Sequence, residues 1–197
     1  MGRVVVSEFL TLDGVMQAPG GPDEDPSGGF TDGGWQMSFF DAQGGEFVMG
    51  GLQKAGGLLL GRKTFDIFAA WWPNQPDDDP IAPVMNAMPK YVVSTTLENP
   101  LEWNNSTVLG TDLVAEVNRL RHEPGGDLLV IGSGVLAQAL MREGLVDVYQ
   151  LMVHPLLLGG GKRLFRGENP KQTLRLADSL ITPNGIVILT YVPDAGD

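Results

Sequence analysis

The sequence predicts an α/β fold with a mixed, mostly parallel sheet and a C-terminal antiparallel hairpin. Three observations lead there. Short apolar runs alternate with amphipathic segments through the middle of the chain, which is the pattern of strands joined by crossover helices. Several of those runs end directly in glycine, as strand-to-helix turns do. Thr173 to Val192 reads as two extended runs around Asn184-Gly185, a dipeptide suited to the positive φ angles of a tight turn. A largely parallel sheet must be covered on both faces, so the expected architecture is three layers. At 197 residues, of which 43% are hydrophobic, one compact domain over 1–197 is expected.

The elements follow in order. Residues 4 to 10, rich in valine, form the first buried strand, and Asp13-Gly14 then opens a segment dense in glycine, proline and acid from Pro19 to Gly34. A loop of that length is functional or disordered, and Trp35, Phe39 and Phe40 give it something to pack with, so an ordered lid is expected. Gln36 to Lys54 is weakly helical, because Gly44, Gly45, Gly50 and Gly51 each cost about 1 kcal/mol in a helix interior. A strand from Gly57 to Leu60 leads into a helix from Thr64, with Phe65, Phe68 and Trp72 on one face and Pro73 at its end. Asn74 to Pro83 reads as an acidic, proline-rich loop, followed by the strand Tyr91 to Val93. Thr111 and Asp112 cap a helix on which Leu113, Val117 and Leu120 repeat. Leu128 to Ile131 is a strand, Gly132-Ser133-Gly134 a turn, and Val135, Leu136, Ala139 and Leu140 one side of a helix that stops at Gly144. A strand from Val146 to Val153 precedes the hairpin.

Composition narrows the function. A net charge of -11 repels a phosphate backbone, and no basic stripe offsets it, so no nucleic acid partner is expected. The chain has no cysteine, which removes disulfides, thiolate metal sites and a cysteine nucleophile. His122 and His154 lack a second ligand at metal spacing, so no metal is assigned, and no GxSxG elbow supports hydrolysis. The N-terminus shows no signal pattern and no stretch approaches a membrane span, which predicts a cytoplasmic protein without membrane contact.

In open α/β sheets ligands sit beyond the carboxyl ends of the strands. Three runs end alike there. LLLGRKTF places Gly61, Arg62, Lys63 and Thr64 at a helix start; YVVSTT ends in Ser94, Thr95 and Thr96; LLVIGSGVL ends in Gly132, Ser133 and Gly134, again opening a helix. Glycines allow close approach, a helix N-terminus offers N–H groups, and hydroxyls and bases complete an anion site: together, a pyrophosphate-binding edge. Gly132-x-Gly134-x-x-Ala137 also fits the dinucleotide fingerprint, but it lies late in the chain, and Asp147 comes too early to serve as its acid. A Rossmann-type dehydrogenase is thus the weaker reading, and a nucleotide-binding sensor without turnover is the other alternative.

The order of segments resembles the dihydrofolate reductase fold and, more closely, the C-terminal reductase domain of the bifunctional deaminase-reductase of riboflavin biosynthesis. The carriers are FLTLDGVM, LLLGRKTF, YVVSTT, LLVIGSGVL and HPLLLGGGKRLF, spread over nearly the whole chain. The resemblance implies a stand-alone NADPH-dependent reductase. Its substrate would be small and soluble, a pyrimidine or pterin-like compound related to the phosphoribosylamino-uracil intermediate of that route. It implies that Gly61, Arg62, Lys63, Thr64, Ser94 and Thr95 face the adenosine phosphates, and that Gly132, Ser133, Gly134, Val135 and Leu136 form the pyrophosphate turn. Asp13, Gly14 and the backbone near Phe9 and Met16 would border the nicotinamide. Glu46 is the implied proton relay, with Asp13 beside it in the catalytic set, and a homodimer is the implied assembly. Where folate-reducing relatives carry an arginine this chain has Met88, Pro89 and Lys90, which argues against folate.

Other residues carry plainer readings beside the functional ones. Glu8 interrupts an apolar strand, so its carboxylate is either paired or faces a cavity. Asp13 before Gly14 is a turn former, and Asp41 reads as a solvated helix residue. Lys162, Arg163 and Arg166 form a basic patch beside three glycines, either a solvated turn or a seat for a substrate phosphate.

Overall fold

The computed structural model describes residues 1–165 and 170–194. Its frame is one eight-stranded sheet in the order β4-β3-β2-β5-β1-β6-β8-β7. The strands are β1 (Val4–Thr11), β2 (Ala55–Gly61), β3 (Lys90–Val93), β4 (Ser106–Val108), β5 (Asp127–Ile131), β6 (Val148–His154), β7 (Leu174–Ile181) and β8 (Val187–Pro193). The first six pair in parallel, β8 adds antiparallel to β6, and β7 adds antiparallel to β8. The mixed, mostly parallel sheet with its terminal hairpin is the expected one, and Gly185, at φ 85°, takes the left-handed position of the hairpin turn.

Among the described residues five α-helices cover the sheet: α1 (Ala42–Lys54), α2 (Arg62–Trp71), α3 (Ala82–Ala87), α4 (Leu113–His122) and α5 (Gly134–Arg142). Successive side chains of a strand point to opposite faces, and β1 divides accordingly. Val4, Val6 and Leu10 pack with Val117, Leu120, Leu136 and Leu140 of α4 and α5. Val5 joins the other layer, with Leu52, Phe65 and Met85 of α1, α2 and α3. The three consecutive leucines of β2 are fully buried, Leu59 in the first layer and Leu58 and Leu60 in the second.

Helix α1 forms despite its four glycines because Asp41 caps it, accepting from the Gly44 N–H at 2.9 Å, and because the helix lies close on the sheet. Asp41 is therefore an N-cap, not merely a solvated residue. Asp112 does the same for α4, accepting from Ala115 N–H at 3.0 Å. Two short elements depart from the sequence reading. Helix α3 begins inside the expected 74–83 loop, and β4 lies in what reads as a turn-rich link.

The Pro19–Gly34 segment is a laid-down loop with a short 3-10 turn at Ser27–Gly29, followed by another at Trp35–Ser38. Gln17 holds it, donating from Nε2 to the carbonyls of Asp25 and Ser27, both at 2.9 Å. The Trp35 indole donates to the Gln17 carbonyl at 2.8 Å, and Gly34 N–H to the Ala18 carbonyl at 2.8 Å. The loop is ordered, as its aromatic anchors lead one to expect. Among the described residues no helix is long and apolar enough to cross a membrane.

Candidate active site

The carboxyl ends of β1, β2, β3 and β5 meet at one edge, and there the sheet opens. Pairing of β1 with β5 stops at Ser7 opposite Ile131, while pairing with β6 continues to Thr11 opposite His154. Glu8 to Thr11 therefore have no strand on their β5 side. Backbone groups alternate sides along a strand, and Arg3 accepts from Leu128 of β5, so Phe9 turns its N–H and C=O into this notch.

Above the notch lies the turn between β5 and α5. Gly132 (φ 58°) and Ser133 (φ 54°) are both left-handed, a conformation that costs a non-glycine residue of order 1 kcal/mol or more. Ser133 is held there by its neighbours. Its N–H donates to Thr64 Oγ1 at 2.8 Å, and its hydroxyl accepts from Gly61 N–H at 3.0 Å and donates to the Ile131 carbonyl at 3.2 Å. The Gly132 N–H donates to Glu8 Oε2 at 3.1 Å. Two N–H groups of the expected pyrophosphate turn are thus spent inside the protein. Those left at the start of α5 belong to Gly134, Val135 and Leu136, since no side chain caps this helix. Val135 is 79% exposed directly over them. A Cβ on Gly134 would come within 2.9 Å of Met16 Sδ, so a side chain there would require the end of Met16 to shift.

Gly61 is different. Its φ of -76° is open to any residue, and an added Cβ would meet Ser133 and Leu136 at ordinary contact distances of 3.6 to 3.7 Å. Neither conformation nor packing demands glycine, and the space a side chain would take lies between the N-termini of α2 and α5. Arg62 flanks it, half-exposed, paired with Asp66 at 3.3 Å and hydrogen-bonded to Thr96. Ser94 folds back to accept from the N–H groups of Thr96 and Leu97, and Thr95 is exposed. Gly61, Arg62, Ser94, Thr95 and the start of α5 thus come together along one edge, where an uncapped helix N-terminus and a guanidinium favour an anion.

Other expected site residues are engaged differently. The Lys63 ammonium leaves this edge and bonds the lid, 2.5 Å from Asp25 Oδ1 and 3.0 Å from Ser27 Oγ. Lys162 grips the same pair, at 2.7 Å from Asp25 Oδ2 and 2.7 Å from Ser27 Oγ. Burial would raise the Asp25 carboxyl, but hydrogen bonds from Lys162 and Lys63 outweigh it and hold it far below the usual carboxylate range. Thr64 serves as the acceptor for Ser133.

Asp13 clamps two turns. It accepts from the Thr11 hydroxyl at 2.6 Å, from Gly159 N–H at 2.8 Å and Leu158 N–H at 3.3 Å, and from Arg163 at 3.3 Å. The Thr11 hydrogen bond and then the backbone donors hold its carboxyl down to about 2. An acid so placed is ionised and saturated, which gives it a structural role and not proton transfer. Glu46 is exposed on α1, and the side of that helix facing the sheet presents Phe47, Val48 and Leu52 instead. The geometry gives a proton relay at Glu46 no support.

One space lies at the lid and another below the sheet edge. A cleft of about 440 Å³ opens between the lid and the 160–162 turn, lined by Gln17, Ser27, Phe30, Asp32, Gly161 and Lys162. Below the sheet edge, Ser7, Phe9, Phe47, Ile131 and Gln150 enclose about 20 Å³, room for a water. His154 is buried beside them, edge-on to Trp35, Phe9 and Phe39 with ring centroids 5.0 to 5.9 Å away. Its Nδ1–H donates to the carbonyls of Met152 (2.9 Å) and Leu10 (3.2 Å), and burial pushes its pKa below the ordinary value. Among the described residues no cluster could hold a metal. Of the basic patch, Lys162 and Arg163 are internal partners, whereas Arg166 lies outside the described residues.

The sequence reading missed the Asp25 latch and the Glu8–Gly132 link. Both join segments far apart in the chain, and only the isolated acid in a valine strand signalled the second. The strand order also departs from the 3-2-1-4-5-6 of a Rossmann sheet, which disposes of that alternative.

Comparison with known proteins fits this geometry. The chain is 28% identical over 196 residues to the protein YyaP of Bacillus subtilis (strain 168), covering 96% of this chain and 94% of that protein. The crystal structure of a putative riboflavin biosynthesis protein from Shewanella sp. PV-4 superposes with a TM-score of 0.70 at 22% identity, over 98% of this chain and 99% of that one. Dihydrofolate reductase from Enterococcus faecalis, solved with NADP(H), superposes with a TM-score of 0.61 at 13% identity, over 98% and 97% of the two chains. The fold is therefore dihydrofolate reductase-like. Since the sequence profile of the RibD C-terminal domain matches residues 3–188, the chain belongs to the RibD C-terminal domain family.

Proposed function

We propose that the protein is a single-domain, NADPH-dependent reductase of a small soluble substrate. The observation that carries this reading is the shared edge. The uncapped start of α5, the side-chain-free Gly61 between the two helix starts and the Arg62 guanidinium converge beside a strand notch. Gly134, Val135 and Leu136 would hold the pyrophosphate, and Arg62 with Ser94 and Thr95 the adenosine phosphate. The Phe9 backbone would border the nicotinamide. When bound, the cofactor supplies a hydride.

The protein's own residues bind, orient and exclude water. Thr64, Gly61 and Ser133 lock the two helix starts to each other, so the anion site is formed before a ligand arrives. Asp13 fixes the turn beside the notch by joining it to Leu158 and Gly159. Lys63 and Lys162 hold the lid through Asp25 and so shape the cleft of about 440 Å³, a volume suited to a small molecule. Lys63 acts on the cofactor only through that lid. A pyrimidine or pterin-like substrate is suggested by the likeness to the putative riboflavin biosynthesis protein of Shewanella sp. PV-4. We place the reductase in the cytoplasm as a homodimer. The exposed Leu176, Leu180 and Ile181 of edge strand β7 support the dimer, which sedimentation of the wild type against Leu180→Lys tests.

The test of the activity is oxidation of NADPH, followed by absorbance, against a panel of flavin-precursor pyrimidines and pterins. Turnover on one of them supports the reading. Tight cofactor binding without turnover on any would favour a sensor.

A further inference from the structure

Glu8 is the one acid of the β1 interior and is 3% exposed, yet no cation pairs with it among the described residues. The salt-bridge reading of this residue therefore finds no partner among the described residues. Its carboxyl spans from β1 to the end of β5, where the two strands have just parted, and Oε2 accepts the Gly132 N–H at 3.1 Å. Oε1 is buried and has no hydrogen-bond partner among the described residues. Buried polar atoms without a partner are rare because each keeps the cost of its lost hydration. This one lies beside Phe9, whose backbone faces the same notch.

We propose that the Glu8 side chain is a positioning group for the cofactor's nicotinamide, donating a hydrogen bond from Oε1 to the carbonyl oxygen of its carboxamide. This rests on the reductase reading. Burial raises the Glu8 carboxyl well above its ordinary range, against a smaller opposing effect of the Gly132 N–H, which favours the neutral acid. A neutral carboxyl is both acceptor and donor. Its acceptor oxygen pins the Gly132 turn and its O–H is left for a ligand acceptor, here a flat amide entering the notch. An ionised carboxylate would repel the same carbonyl, which explains why the acid sits where nothing neutralises it. Keeping an acid protonated by an apolar surround so that it can donate is a known device of enzyme sites.

The test is a titration of wild-type protein, Glu8→Gln and Glu8→Leu with NADPH and with 2′-phospho-ADP-ribose, which lacks the nicotinamide. Loss of one buried hydrogen bond should weaken NADPH binding to Glu8→Leu roughly tenfold and leave the shorter ligand within about twofold. Glu8→Gln retains a donor and an acceptor and should bind both as the wild type does. Equal weakening of both ligands in Glu8→Leu, no weakening of either, or a selective loss of NADPH in Glu8→Gln would overturn the proposal. Should Glu8→Leu fail to fold, the wild type decides by infrared difference spectroscopy. The carbonyl band of the protonated Glu8 carboxyl, assigned through its absence in Glu8→Gln, should shift with NADPH and stay put with 2′-phospho-ADP-ribose. An unshifted band, or no such band, overturns it. Failure of the wild type to bind either ligand would instead bring down the reductase reading itself, and this proposal with it.

Discussion

Replacing Asp25 by alanine should unlatch the lid. The Asp25 carboxylate, with 10% of its side chain exposed, receives Lys63 at 2.5 Å and Lys162 at 2.7 Å, and both lysines are about half exposed, at 53% and 40%. Solvent screens pairs of that kind to about 0.5–1 kcal/mol each. Asp25 also accepts from the Ser27 hydroxyl at 2.6 Å and the Ser27 N–H at 3.1 Å, which contribute about 1 kcal/mol net. The substitution leaves two ammonium groups facing each other without a counter-charge. Together the closed loop loses about 2–3 kcal/mol, which raises the population of open loop roughly 30- to 150-fold. Chymotrypsin reports this directly, since Phe30 lies in the loop and Lys and Arg do not occur between Pro19 and Gly34. Cleavage after Phe30 under native conditions should accelerate by that factor, provided opening is fast relative to cleavage. Lys63→Met or Lys162→Met alone should give less than about tenfold, because the other lysine keeps its hold. Equal cleavage rates for Asp25→Ala and the wild type would refute the latch.

Two further outcomes follow from the site. Gly61→Val should abolish cofactor binding while shifting unfolding free energy by less than about 1 kcal/mol, because the first added carbon makes only ordinary contacts and the branch fills the space between the helix starts; titration and thermal melts on one preparation check both halves. His154 is buried neutral with its pKa below the ordinary 6.5, so the unfolded chain binds more protons in mild acid. Its contribution to stability is complete above pH 6.5 and is lost as pH falls through the lower folded value; His154→Gln should flatten the melting temperature against pH across that window, and an unchanged slope would contradict the assignment.

The strands and their order of use were legible because the apolar runs are short, glycine-bounded and rich in β-branched residues. The hairpin was legible from Asn184-Gly185 alone. Helix α3 was hidden because it has six residues and Pro83 near its start, and β4 because it is a three-residue edge. At the site, the sequence brought Gly61, Arg62, Ser94, Thr95 and the α5 start to one edge, since each directly follows a parallel strand. It misplaced the side chains whose partners are remote. Lys63 sits next to Arg62 in sequence yet binds Asp25, 38 residues away, and Asp13 is saturated by groups about 145 residues on. Glu46 followed from a spacing carried over a helix whose exposed side only packing could reveal. Glu8 was marked as anomalous by its strand, but whether it was paired required the position of every cation.

The most direct test of the reductase account is calorimetric titration of the wild type and Arg62→Ala with NADPH and, separately, with NADH. The account predicts binding with a preference for NADPH, and a loss of roughly tenfold in Arg62→Ala confined mainly to the 2′-phosphorylated cofactor, the cost of one charge-assisted contact. Absence of heat with both cofactors in the wild type would contradict it.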